Sequence, residues 1–187
     1  MVTRCPWPGD DALMQRYHDE EWGVPVREDR RWMEYIVLDA FQAGLSWRTV
    51  LHKREAFRSV FHEFDPLRVA RMTESEIEAA RQNPAIIRNH LKIKAAVKNA
   101  GCLLNLAERH GSFDHFIWSF TDGKVVRNRW RRPEEIPAAT PLSDTIGKAL
   151  KQAGFSFVGS TICYAFLQAG GIVNDHLVTC FRYKELK

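Results

Sequence analysis

No run of about 18 apolar residues occurs in the 187-residue chain, which argues against a bilayer-spanning helix. The opening residues, 1 to 10, carry no apolar core of the kind that makes a secretory leader. A cytoplasmic protein with no membrane partner is the expectation. Cysteine is scarce, at four residues, and no four-cysteine cluster spacing is present to hold an iron–sulfur centre. In a reducing compartment those thiols read as ligands or core residues and not as disulfides. Period-two alternation is almost missing, and Val125-Val126 is too short to build a sheet. No internal repeat or low-complexity tract interrupts the chain. Neither charge sign dominates: the net charge of +4 permits a polyanionic partner without demanding one. With 45% hydrophobic and 27% charged residues, the chain has enough apolar material for one domain with a sizeable core.

What is present is helical. Asp29 is placed to cap a segment from 30 to 43, in which Trp32, Met33, Ile36, Val37, Ala40 and Phe41 recur at helical spacing. Gly44 ends it. Ser46 can cap the next helix, with Val50, Leu51, Phe57, Val60 and Phe61 inward. Asp65-Pro66 reads as a cap with a first-turn proline, and Thr73 with Glu76 as a capping box. A long helix is expected from about 86 to 109, ending at Gly111. Ser143 is placed to cap a helix over 144–153 that Gly154 stops. The stretch 121–141 lacks this regularity. Its Lys124, Arg127, Arg129, Arg131 and Arg132 surround Trp130, which suits either a loop that meets phosphates or a solvated connector.

Two pairs of metal-type residues stand at the ends. His176 and Cys180 are four apart, and a helix capped by Asn174 would put both on one face. Cys5 and His18, the latter in a helix expected over 11–22, form the other pair. Two thiolates and two imidazoles make a closed tetrahedral zinc site, structural because no position is left for water. The plainer reading is buried cysteines and satisfied histidines, and on the residues alone it carries more weight, because the pairs lie so far apart in sequence. Cys102 and Cys163 read as core.

Two further features concern ligands. The glycine-bounded turn 154–161 lies between two helices, and backbone N–H groups at the start of the second form a ready phosphate site. An ordinary helix–helix connection explains the same glycines. Trp7, Tyr17, Trp22 and Trp47 crowd the first quarter of the chain among Glu20, Glu21 and Asp39. Each singly suits a core; together they suit a slot for a flat, electron-poor ring with one anionic acceptor.

These stretches closely resemble one family. Cys5-Pro6-Trp7, Tyr17-His18-Asp19, Glu21-Trp22-Gly23-Val24-Pro25, Gln42-Ala43-Gly44-Leu45-Ser46-Trp47, Lys53-Arg54-Glu55, Phe64-Asp65-Pro66, Ile86-Ile87-Arg88, Phe157 through Tyr164 and Val173-Asn174-Asp175-His176 match 3-methyladenine DNA glycosylase I in order and spacing, over about residues 4–182. The resemblance implies one all-α domain over 1–187, of the helix-hairpin-helix kind. It also implies a structural zinc on Cys5, His18, His176 and Cys180 joining the terminal segments. The implied activity is hydrolysis of the N-glycosidic bond of 3-methyladenine in alkylated double-stranded DNA, with the base flipped out and released free; a monomer is the separate expectation. By the same carry-over Tyr17 and Trp47 sandwich the base, and Trp7 and Trp22 complete the pocket. Apart from that carry-over, Gly44, Leu45, Phe157, Gly159, Ser160 and Thr161 are the residues expected to meet DNA, with Gly44 and Leu45, at the turn beside the pocket, as the expected wedge. Asp39 stands where the family has its base-binding glutamate, one methylene longer. No lysine lies within 154–161 to form a Schiff base, so strand cleavage is not expected. A DNA-binding domain without turnover and a zinc hydrolase of small molecules are the competing expectations.

Overall fold

The apolar spacing of residues 29–42 sets the centre of the molecule. The computed structural model describes residues 2–186. In it helix α2 (Asp29–Gln42) is buried from Trp32 to Phe41, so polar Glu34 and Asp39 are carried inward with the apolar residues. Around it, in chain order, stand α1 (Ala12–Glu20), α3 (Trp47–Leu51), α4 (Arg54–Val60), α5 (Pro66–Ala70), α6 (Glu74–Gln82), α7 (His90–His110), α8 (Phe113–Trp118), α9 (Pro141–Gln152), α10 (Ser160–Ala169) and α11 (Phe181–Glu185). The fold is mostly helical. No helix among the described residues is long and apolar enough to cross a membrane.

Several expected caps hold. Ser46 caps α3, Asp65 caps α5 ahead of Pro66, and Thr73 and Glu76 close a reciprocal capping box, while Asp11, expected inside its helix, is the cap of α1. Others differ. Asp29 lies inside α2; its carboxylate accepts instead from Phe113 N (3.0 Å) and Asp114 N (2.8 Å) at the start of α8. The single helix expected after Ser46 is broken into α3 and α4, and Val60 is only partly buried. The helix expected from 86 begins at His90, because Asn83 turns the chain by accepting from Ala85 N and Asn89 supplies the cap. Helix α9 starts at Pro141, capped by Thr140, with Ser143 as the reciprocal partner inside the first turn.

The largest departure is at the C-terminal end. No helix carries His176 and Cys180. Val173–Asn174 is a two-residue strand, β2, paired in parallel with β1 (Val126–Arg127), and residues 175–180 form a turn before α11. Asn174 turns it locally, its side-chain oxygen accepting from His176 N at 3.2 Å. Valine pairs too short to make a sheet still suffice for one parallel clasp.

Two glycines allow close approach. A Cβ on Gly170 would lie 2.0 Å from the Trp32 ring, so only glycine lets α10 end against α2. A Cβ on Gly147 would lie 2.9 Å from Val158 O, so α9 must be bare where the 153–159 turn folds back on it. That turn is anchored from α7 by Asn99, which accepts from Ser156 N (2.8 Å) and donates to Ser156 O (3.0 Å).

Candidate active site

Folding brings both ends and the middle of the chain to one cavity of about 210 Å3. Trp7 precedes α1, Tyr17 lies on α1, and Trp22 follows it. Asp39 and Gln42 point in from the last turns of α2, Trp47 from the first residue of α3, and Ala165, Gln168 and Ala169 from one face of α10, with Ile136 closing the edge. The four expected aromatics and Asp39 are thus together. Gln42, Gln168, Ile136 and the two alanines are additions. The spacing of 165, 168 and 169 marks a common helical face, but nothing in the sequence says what that face meets. Glu20 is exposed and Glu21 is committed elsewhere. Glu21 accepts from both terminal nitrogens of Arg54 (2.7 Å each) and from Arg31. Burial pushes its carboxyl up, but Arg54 and Arg31 outweigh that and hold it at about 2.

Asp39 is 4% exposed and is not a surface residue. Its Oδ2 has no hydrogen-bond partner, and neither do the buried Trp7 Nε1 and Trp47 Nε1. Among the described residues only one other buried side-chain polar atom is so placed, so the unsatisfied groups gather at this cavity. Each costs on the order of 1–3 kcal/mol when left without a partner. Such a cost persists where a ligand supplies the missing bonds. With no cation nearby, burial pushes the Asp39 carboxyl well above the usual carboxylate range.

The aromatic pair is not open. The Tyr17 and Trp47 ring centroids are 5.0 Å apart with planes at 45°. A flat ring between two faces needs roughly 7 Å, twice a van der Waals contact, so the expected sandwich is not pre-formed.

Cavities beside Asp39 reach the surface expected to meet DNA. One is lined by Asp39, Gln42, Ala43, Gly44, Thr161, Ile162 and Ala165; another by Asp39, Phe157, Val158 and Ile162, among others. Gly44, at φ +81°, makes the turn after α2, and Leu45 beside it is 43% exposed. Phe157 also has positive φ, +57°, uncommon for a side chain of its size. Gly159 and Thr161 are exposed, and Ser160 opens α10 with its hydroxyl 2.9 Å from that of Ser143.

Cys5, His18, His176 and Cys180 also converge, all buried, with their ligand atoms within 4.8 Å of one another. Cys180 Sγ lies 3.5 Å from both His18 Nε2 and His176 Nδ1, and Cys5 Sγ lies 3.8 Å from His176 Nδ1. The remaining imidazole nitrogens are engaged, His18 Nδ1 with Asp19 (2.8 Å) and His176 Nε2 with the Trp22 carbonyl (3.0 Å). The Cys5 thiol hydrogen-bonds Cys180 and the two imidazoles face the same sulfur, so Cys180 is held far below the usual thiol range. The cluster could hold a metal ion. Its histidines form the back of the cavity wall: Trp22 packs 4.6 Å from His176 and Trp7 5.4 Å from His18, centroid to centroid.

The cavity thus presents aromatic faces, indole N–H groups and one buried carboxyl without a partner, groups of the kind that suit a flat nitrogenous ring. The methyladenine glycosylase family model matches residues 7–183. DNA-3-methyladenine glycosylase 1 of Escherichia coli is 47% identical over 182 residues, covering 97% of each chain. A crystal structure of 3-methyladenine DNA glycosylase I superposes with a TM-score of 0.92 at 49% identity, covering 96% of this chain and 98% of that one. A variant of 3-methyladenine DNA glycosylase I solved in complex with 3-methyladenine superposes equally well, 0.92, at 31% identity, covering 95% and 96%. The chain belongs to the methyladenine glycosylase family.

Proposed function

We propose that the chain excises 3-methyladenine from alkylated double-stranded DNA, by hydrolysis and without strand cleavage. The observation that carries this reading is the unpaired Asp39 carboxyl at the wall of an aromatic cavity. A purine methylated at N3 within DNA is cationic, and its bond to the sugar is already labile. The base is extruded from the stack at a cost of a few kcal/mol. Inside, the cation favours the ionised form of Asp39 that burial disfavours, its exocyclic amine donates to Oδ2, and the aromatic faces favour it over a neutral ring. Water attacks C1′ and the C1′–N9 bond breaks. Its electron pair stays on the base, which leaves neutral, and the proton of the water passes to solvent.

For Tyr17 and Trp47 to clasp the base, their rings must part by about 2 Å, the difference between 5.0 Å and the stacking requirement. Trp47 is the side able to yield, since it is only partly buried on a five-residue helix beside the Gly44 turn. Gly44 and Leu45 fill the gap the base vacates. The 153–159 turn and the start of α10, with Phe157, Gly159, Ser160 and Thr161, hold the phosphate backbone in the manner of a helix-hairpin-helix unit.

Cys5, His18, His176 and Cys180 fit a zinc ion. Tetrahedral bonds of about 2.3 Å to sulfur and 2.0–2.1 Å to nitrogen set ligand-to-ligand edges of roughly 3.3–3.8 Å, close to the distances between these atoms. Bound there, zinc supplies a closed structural link between the chain ends. The test is release of free 3-methyladenine from methylated duplex DNA by the native chain, Asp39→Ala and Asp39→Glu. Release by the native chain, reduced roughly 100-fold in Asp39→Ala, supports the reading. DNA binding without release by the native chain overturns it in favour of a binding domain.

A further inference from the structure

Gln168 lies on α10 and lines the aromatic cavity. Its side-chain amide is not free to turn. Nε2 donates to Asp175 Oδ2 at 2.8 Å, and Asp175, 1% exposed, is filled by three further donors. Tyr164 OH reaches the same oxygen at 2.5 Å; Asn128 Nδ2 and Trp130 Nε1 reach Oδ1 at 2.6 and 2.7 Å. An indole N–H can only donate, and a carboxylate presents about four acceptor sites. Reversing the Gln168 amide would set its oxygen against a carboxylate oxygen. The network therefore fixes which amide atom remains for the cavity.

We propose that Gln168 is a second hydrogen-bond acceptor of the slot, held by Asp175 so that Oε1 reads an N–H of the exocyclic amine on the bound base. The inference rests on the reading that this cavity takes 3-methyladenine. Asp39 then is not the sole reader of the amine. Two acceptors suit a 6-amino purine, which offers two N–H donors, and oppose a 6-oxo purine, whose oxygen would face them with no proton between. The basic loop enters here as well. Its Asn128 and Trp130 do not line the cavity; they occupy Asp175 Oδ1 and leave Oδ2 to Tyr164 and the Gln168 amide.

The test is a ligand-and-variant cycle read by tryptophan fluorescence. Native chain, Gln168→Met and Trp130→Phe are titrated with 3-methyladenine and with 3-methylpurine, which lacks the exocyclic amine. Native chain is expected to prefer 3-methyladenine, and Gln168→Met to lose about 3- to 10-fold of that preference while binding 3-methylpurine as native does. Trp130→Phe removes one donor from Asp175 but leaves the amide no other orientation, so its preference should persist. An unchanged preference in Gln168→Met, or an equal loss in both variants, overturns the proposal. If native chain binds neither ligand, the base-slot reading itself falls, a result distinct from either. Melting curves and metal content of each variant identify a folding failure. Gln168→Leu repeats the test should Gln168→Met not fold.

Discussion

At the scale of a residue, Asp39 sets activity against stability. Its carboxyl is raised by burial alone above the ordinary value of 3.8. A carboxyl raised in the folded state binds more protons folded than unfolded, so stability falls as pH climbs from near 3.8 toward the folded value and stays reduced above it. Asp39→Asn removes that ionisation. We expect the variant to melt higher than native chain at pH 7 by a few degrees, on the order of 1 kcal/mol in a chain of this size. The gap should close toward pH 4. Calorimetry across that range checks the sign, and a constant difference would show that packing, not charge, is responsible. The same variant should release 3-methyladenine far more slowly, since its amide cannot take the charge that a cationic base calls out.

At the scale of an element, the turns around the slot decide what reaches it. Gly147→Ala brings a Cβ to 2.9 Å from Val158 O, so the 153–159 turn must shift. A gain in helix propensity of up to about 1 kcal/mol is set against an overpacking cost of about 1–3 kcal/mol, and a modest net destabilisation is expected. Affinity for duplex DNA should fall while affinity for free 3-methyladenine holds, because Gly147 and Val158 do not line the main cavity. Equal loss on both would separate this turn from the DNA surface. Leu45→Ala should slow base release on paired DNA more than on single strands, measured side by side on methylated substrates. Elements of this kind were partly legible. Ser46, Asp65 and Thr73 announce their helices because a cap acts on backbone within three residues. Asp29 misleads because its partners, Phe113 and Asp114, lie more than 80 residues on. His176 and Cys180 mislead because spacing by four permits a helix without requiring one, and the pairing of Val173 with Val126 pulls that segment into a strand and turn.

At the scale of the whole molecule, the Cys/His cluster and the aromatic cavity share a wall, Trp22 packing on His176 and Trp7 on His18. Cys5 and His176 are 171 residues apart, so local pattern could not join them, and the family resemblance alone tied the pairs together. The fold gives the reason for the tie. Cys5, Leu177 and Cys180 form a small apolar cluster apart from the main core, and Trp7 and Trp22 pack against both. The main core is built on α2, α7 and α10, with Cys5 and Cys180 outside it in the smaller cluster. Removing zinc with a chelator, or by Cys180→Ser, should therefore act first on the slot: the imidazoles lose their common centre, and Trp7 and Trp22 lose the surface they lean on. We expect one zinc per native chain and none in Cys180→Ser. Affinity for 3-methyladenine should drop at least 10-fold under conditions where far-ultraviolet dichroism still reports most of the helix. The melting temperature should fall as well, because the free energy of binding a structural zinc is folding free energy. A metal-free chain that binds the base as tightly as native chain would mean that the tryptophans hold their places unaided.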